Sequence, residues 1–112
     1  MSNVTTLARP YAKAAFDLAE ADSATGSWNE MLALASSLVS EESMAKLLQS
    51  PEIGSRQIVE VLSDIAGESF NDRFRGYLSV LAENKRFPLI PEIATLYQKL
   101  AEEADKLLRV KV

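Results

Sequence analysis

The chain has no cysteine and no histidine in its 112 residues. Without cysteine there are no disulfides and no thiolate metal sites. Without histidine, the commonest general base near neutral pH and the commonest metal ligand are both missing. Basic residues are in deficit, with 12 Lys and Arg against 16 Asp and Glu and a net charge of −4. That balance argues against a nucleic-acid-binding surface, which needs a basic patch, and against a polybasic membrane anchor. No apolar run approaches the ~20 residues needed to span a bilayer. The opening stretch MSNVTTLARPYAK is neither a basic segment followed by an apolar core, as in a secretory signal, nor an Arg- and Ser-rich transit peptide. The expectation is a cytosolic protein that meets a membrane only through a partner.

Sets of residues that carry chemistry are also missing. With His and Cys absent, no Ser/His/Asp or Cys/His arrangement is available. No G-x-x-x-x-G-K-[ST] loop marks a nucleotide site. The pairs Glu41-Glu42 and Glu102-Glu103 could hold a hard cation in principle. Adjacent carboxylates on a helix do not face each other, however, and solvated surface is the simpler account. The expectation is a protein that is not an enzyme and carries no cofactor or metal.

What the chain does have is helical periodicity. Hydrophobic residues make up 47% and charged residues 25%, an ordinary balance for one compact domain of this length. Four glycines and four prolines are few, and most of them mark breaks. A first helix is expected from Thr5 or Thr6, as caps, to Ala21–Ala24. A second opens at Ser27, in capping-box spacing with Glu30, and carries Trp28, Met31, Leu32, Ala35, Leu38 and Val39 at i, i+3, i+4, i+7. A short third has Met44, Leu47 and Leu48 and stops at Ser50-Pro51. A fourth places Ile58, Val61, Leu62, Ile65 and Ala66 on one face, with Gly67 as its C-terminal cap. A fifth, with Ser69 or Asp72 near its start, aligns Phe70, Phe74, Tyr77, Leu78 and Leu81, while Gly76 and Val80 fall on another face. A sixth runs from about Leu89 to Lys106. The end, Leu107-Leu108-Arg109-Val110-Lys111-Val112, alternates in a strand-like way and is expected to fray from about Arg109. The fold class is therefore all-α: a single six-helix bundle over residues 1–106, no sheet, and residues 107–112 as the start of a linker or strand toward a further unit.

The first helix is unusual. At ~100° per residue, Arg9, Lys13, Asp17 and Glu20 form a charged stripe roughly 80° wide. Apolar residues fill about 240° of the remainder. A single neighbour cannot cover that surface. Either this helix is central to the bundle, or part of it waits for a partner. One side carries Ala8, Ala12, Phe16 and Ala19; another carries Leu7, Tyr11, Ala14 and Leu18. A mid-helix glycine at 76 costs up to ~1 kcal/mol relative to alanine, which suggests that something packs close there. Trp28 is either a core anchor or a half-exposed rim residue beside a partner groove.

The run Ala8-Arg9-Pro10-Tyr11-Ala12-Lys13-Ala14-Ala15-Phe16 resembles the N-terminal signature of the F-type ATP synthase delta subunit family, whose mitochondrial members are the oligomycin-sensitivity-conferring proteins. Trp28 with Met31-Leu32, and Leu81-Ala82-Glu83-Asn84-Lys85-Arg86, are similar to that family as well and follow in the same order. The resemblance implies the N-terminal six-helix domain of a bacterial delta subunit, without the C-terminal domain that contacts the b subunits. It implies a non-catalytic stator component on the cytoplasmic side of the inner membrane, held there through the complex. The N-terminal amphipathic helix of an α subunit would dock in a groove between the first and fifth helices, bordered by Leu7, Tyr11, Ala14, Leu18, Trp28, Gly76 and Val80. The isolated domain would be a monomer. The alternative is a helical adaptor or regulator that homodimerises through the first helix.

Overall fold

Apolar residues repeating every three or four positions bury one stripe per helix, and the chain folds accordingly. The computed structural model describes residues 3–110, with side chains as far as residue 106. Among the described residues there are six α-helices and no strand: α1 (Asn3–Ala21), α2 (Thr25–Ser40), α3 (Glu42–Gln49), α4 (Ser55–Ala66), α5 (Asp72–Glu83) and α6 (Ile90–Val110). Short 3₁₀ turns at Gly67–Ser69 and Phe87–Leu89 lead into α5 and α6. α6 packs along α1 and α2, and α4 packs on α5.

The core is aromatic and aliphatic. Trp28, Tyr97, Phe70, Phe74, Leu32, Leu62, Leu78, Leu81, Ile90 and Ile93 are all fully buried. Each side chain of this kind contributes about 1.5–3 kcal/mol on leaving water. The Trp28 ring stands edge-on to Phe74 and Tyr77, with centroids 5.2 and 5.5 Å away. Phe16 meets Tyr97 edge-on at 5.8 Å, and the Tyr97 hydroxyl donates to the Thr25 carbonyl at 2.6 Å, which ties α6 to the start of α2.

Two helix ends close without glycine. After α1, Ser23 takes φ 52°; its N–H bonds the Glu20 carbonyl, and the Ala24 N–H bonds the Ala19 carbonyl at 2.8 Å. After α5, Lys85 takes φ 58°; its N–H bonds the Ala82 carbonyl, and the Arg86 N–H bonds the Leu81 carbonyl at 2.7 Å. These are Schellman closures, in which the left-handed residue turns the chain back over the last turn. Gly67, at φ 60°, ends α4 as expected.

Several boundaries differ from the sequence-based expectations. α1 starts at Asn3, so Thr5 is not a cap; its hydroxyl instead donates to the Glu92 carboxylate on α6 at 2.8 Å. α2 starts at Thr25 rather than Ser27, and no side chain caps it, because the Schellman turn delivers the chain directly and the Trp28 N–H bonds the Ala24 carbonyl. Asn71, not Ser69 or Asp72, caps α5, its Oδ1 accepting the Phe74 N–H at 2.8 Å. α6 runs past Lys106 to Val110, so Arg109 and Val110 are helical rather than the start of a strand. Leu-Leu-Arg are good helix formers, and a strand has little stability without others to pair with. Residues 111 and 112, the rest of that expected tail, lie outside the described residues.

Candidate functional site

α1 divides its surface three ways. Ala8, Ala12, Ala15, Phe16 and Ala19 are buried and face α2 and α6. The small alanines let these helices approach closely. Arg9, Lys13, Asp17 and Glu20 are exposed, with Lys13 and Asp17 paired at 3.5 Å. The third face carries Val4, Leu7, Tyr11, Ala14 and Leu18. Their spacing of three, four, three, four is a heptad seam, the pattern of helices that pack side by side. Val4 and Leu7 are 47% and 42% exposed; Ala14 is exposed, and Tyr11 and Leu18 are half-buried.

α5 runs antiparallel beside this seam. The Tyr77 hydroxyl donates to the Tyr11 carbonyl at 2.7 Å. At the other end, Arg73 Nε meets Asp22 Oδ2 at 2.7 Å, just past the end of α1. Between the two helices lies an open groove bordered by Pro10, Tyr11, Ala14 and Leu18 on one wall and Arg73, Gly76, Tyr77 and Val80 on the other. The second wall has the i, i+3, i+4, i+7 spacing of one helix face. Val80 is 48% exposed. A Cβ placed on Gly76 would meet no atom within 4 Å, so no described residue occupies the space that glycine leaves.

Five of the seven expected site residues, Tyr11, Ala14, Leu18, Gly76 and Val80, thus border one groove. Leu7 does not border it but continues the same face of α1 toward the N-terminus. Trp28 must be corrected: it is fully buried, because it is the hub on which Phe74 and Tyr77 pack. It supports the groove from beneath, through Tyr77, and cannot touch a docked molecule. Pro10, Arg73 and Tyr77 were missed. Tyr77 belongs to the core stripe, as expected, and its hydroxyl also reaches across to α1. Arg73 carried a legible signal, since it lies three residues before Gly76 and seven before Val80.

The groove offers little chemistry. Burial pushes the Tyr77 hydroxyl well above its ordinary pKa, with a smaller contribution from Tyr11, so it stays protonated and bonded to α1. Among the described residues that border the groove, Arg73 alone is charged. Among the described residues, no three His, Cys, Asp or Glu cluster in a way that could hold a metal ion. A second cleft, on the other flank of α1 against α6, has Leu96 and Leu100 at its base but is ringed by Arg9, Lys13, Lys99 and Glu103. A guest there would have to strip water from four charges, whereas the α1–α5 groove presents one. No helix among the described residues is long and apolar enough to cross a membrane.

The family model described as ATP synthase delta (OSCP) subunit matches residues 7–112. Among curated proteins, the chain is similar to an ATP synthase subunit delta of Idiomarina loihiensis, 41% identical over 112 residues. One from Stutzerimonas stutzeri is 40% identical, and one from Hydrogenovibrio crunogenus is 35% identical. Each match covers the whole of this chain and 63% of the relative, so the chain spans somewhat less than two thirds of the length of these proteins.

Proposed function

The chain belongs to the ATP synthase delta (OSCP) subunit family, and from that premise we propose that its groove between α1 and α5 receives the N-terminal amphipathic helix of an α subunit. In this role the domain is a connecting part of the stator. It grips the catalytic hexamer so that the hexamer stays still while the rotor turns, and it does no bond chemistry itself. Residues outside this chain, in a C-terminal domain, would contact the b subunits. Contact with the membrane is then peripheral, through the complex on its cytoplasmic side.

The observation that carries this proposal is the uncovered heptad seam of α1 facing the open wall of α5. Helix-in-groove recognition draws its energy from apolar anchors spaced along the guest. Ala14 and Gly76, one on each wall of the groove, would leave room for the guest backbone to come close. Burying several side chains at about 25 cal/mol per Å² supplies the driving force, from which ordering of the guest helix must be subtracted.

Titration of the ¹⁵N-labelled chain with a synthetic N-terminal α peptide tests this. Expected are one-to-one binding and resonance shifts concentrated on Leu7, Tyr11, Ala14, Leu18, Gly76 and Val80. Shifts confined to α3 and α4 would refute the placement. The seam is also self-complementary, which keeps the homodimer as the second reading. Sedimentation decides between them: a monomer that binds the peptide supports the stator role, and a dimer that ignores it supports the rival.

A further inference from the structure

The two ends of the α1–α5 groove are chemically different. At the Val80 end both walls are apolar. At the Leu18 end stands Arg73, the one charge on the lining. Its Nε is held by Asp22, and its side chain remains 55% exposed, against 31% for Asp22. A guanidinium carries five N–H donors in a fixed fork. A carboxylate at Nε leaves most of that fork for a second acceptor, and Arg–carboxylate pairs gain both energy and direction from it. A helix docked in the groove therefore meets one place where a carboxylate is welcome. At the opposite end a carboxylate loses water and finds no partner.

We propose that Arg73 reads the charge of the docked helix, selecting a guest with a carboxylate beside the α1–α2 turn and thereby fixing which way round the guest lies. The proposal rests on the groove being a helix-docking site and goes beyond it by naming a polar determinant and an orientation. Asp22 takes only the Nε side of the fork, and the reading of charge falls to the donors that remain.

The test uses the synthetic α peptide, single variants in which each of its carboxylates becomes lysine, and a nitroxide label at either peptide end. One carboxylate-to-lysine change is expected to weaken binding roughly five- to tenfold on the wild-type chain, the scale of a partly exposed charge pair and its reversal. Arg73→Gln should erase that discrimination, and Arg73→Glu should invert it. Asp22→Asn removes the charge from the Arg73–Asp22 pair but should keep the discrimination, which separates contact with the guest from mere bracing of the turn. The label nearest the critical carboxylate should broaden the Leu18 and Arg73 amide resonances more than that of Val80, and the label at the other end should reverse the order. Discrimination that survives Arg73→Gln, its loss in Asp22→Asn, or the opposite order of broadening would each overturn the assignment while leaving the groove intact. A peptide that perturbs no groove resonance even on the wild-type chain would instead sink the docking site itself, and the role of Arg73 with it.

Discussion

Val80→Asp should leave the domain folded and all but abolish peptide binding, whereas Phe74→Asp should unfold it. The two residues are six positions apart on the same helix and differ in what surrounds them. Val80 is 48% exposed, so an aspartate there keeps its water in the free domain. The costs are a small change in helix propensity and an unfavourable dipole near the C-terminal end of α5, about 0.3–1 kcal/mol. When a guest helix covers the position, the carboxylate must be desolvated without a partner, at several kcal/mol. Three kcal/mol is already a loss of more than a hundredfold in affinity. Ala14→Asp on the facing wall should behave alike, with a propensity loss of at most ~0.7 kcal/mol. Phe74 is fully buried against Trp28 and Phe70. Removing such a ring costs about 3–5 kcal/mol before any charge is buried, which rivals the whole stability of a small domain. Circular dichroism melting and isothermal titration on the three variants decide the matter. If Val80→Asp and Ala14→Asp melt like Phe74→Asp, both positions are core. If both fold and bind normally, α1 and α5 do not form the α site.

Tyr77→Phe deletes the bond to the Tyr11 carbonyl and should cost about 0.5–1.5 kcal/mol in urea unfolding; an unchanged midpoint would mean that this bond adds nothing net. Burial, with a smaller push from Glu20, raises the Tyr97 hydroxyl from 10.0 to about 12, and burial raises Tyr77 as well. The folded chain therefore holds protons that the unfolded chain releases, so stability should be full below pH 10 and fall as pH rises through the folded values; denaturant midpoints that stay flat to pH 12 would contradict this. Lys85→Gly relieves a left-handed residue and should stabilise by up to ~1 kcal/mol, read as a higher melting temperature. Trp28, fully buried, should emit in the blue and resist iodide quenching with or without peptide; strong quenching in the free chain would place it at the surface.

Element type was legible because each helix must bury a stripe. Met31, Leu32, Ala35 and Leu38 could not lie on one face of anything but a helix. Helix ends were less legible, because a cap is decided by where the chain enters. Ser27 and Glu30 have capping-box spacing, yet Ser23 turns the chain four residues earlier and leaves them inside the first turn. At Arg109 and Val110 helix prevails over the alternating pattern, in keeping with the helical preference of Leu107, Leu108 and Arg109. On α1 the wheel sets Ala8, Ala12, Phe16 and Ala19, which are buried, apart from Leu7, Tyr11, Ala14 and Leu18, which are exposed or half-buried. It could not tell that Trp28 lies beneath the groove rather than beside it, since a wheel gives direction but not depth.

Depth matters for how the groove works. Its floor is not a separate layer. Tyr77 forms part of one wall, bonds the backbone of the other, and packs on Trp28, which in turn packs on Phe74. The separation of α1 and α5 is therefore set by the same aromatic cluster that stabilises the bundle. A guest that binds only the folded form adds stability by mass action, and a change to that cluster alters affinity without touching the guest. Under the proposed docking role, such coupling would keep the groove rigid, because its walls cannot separate unless the aromatic cluster between them loosens too.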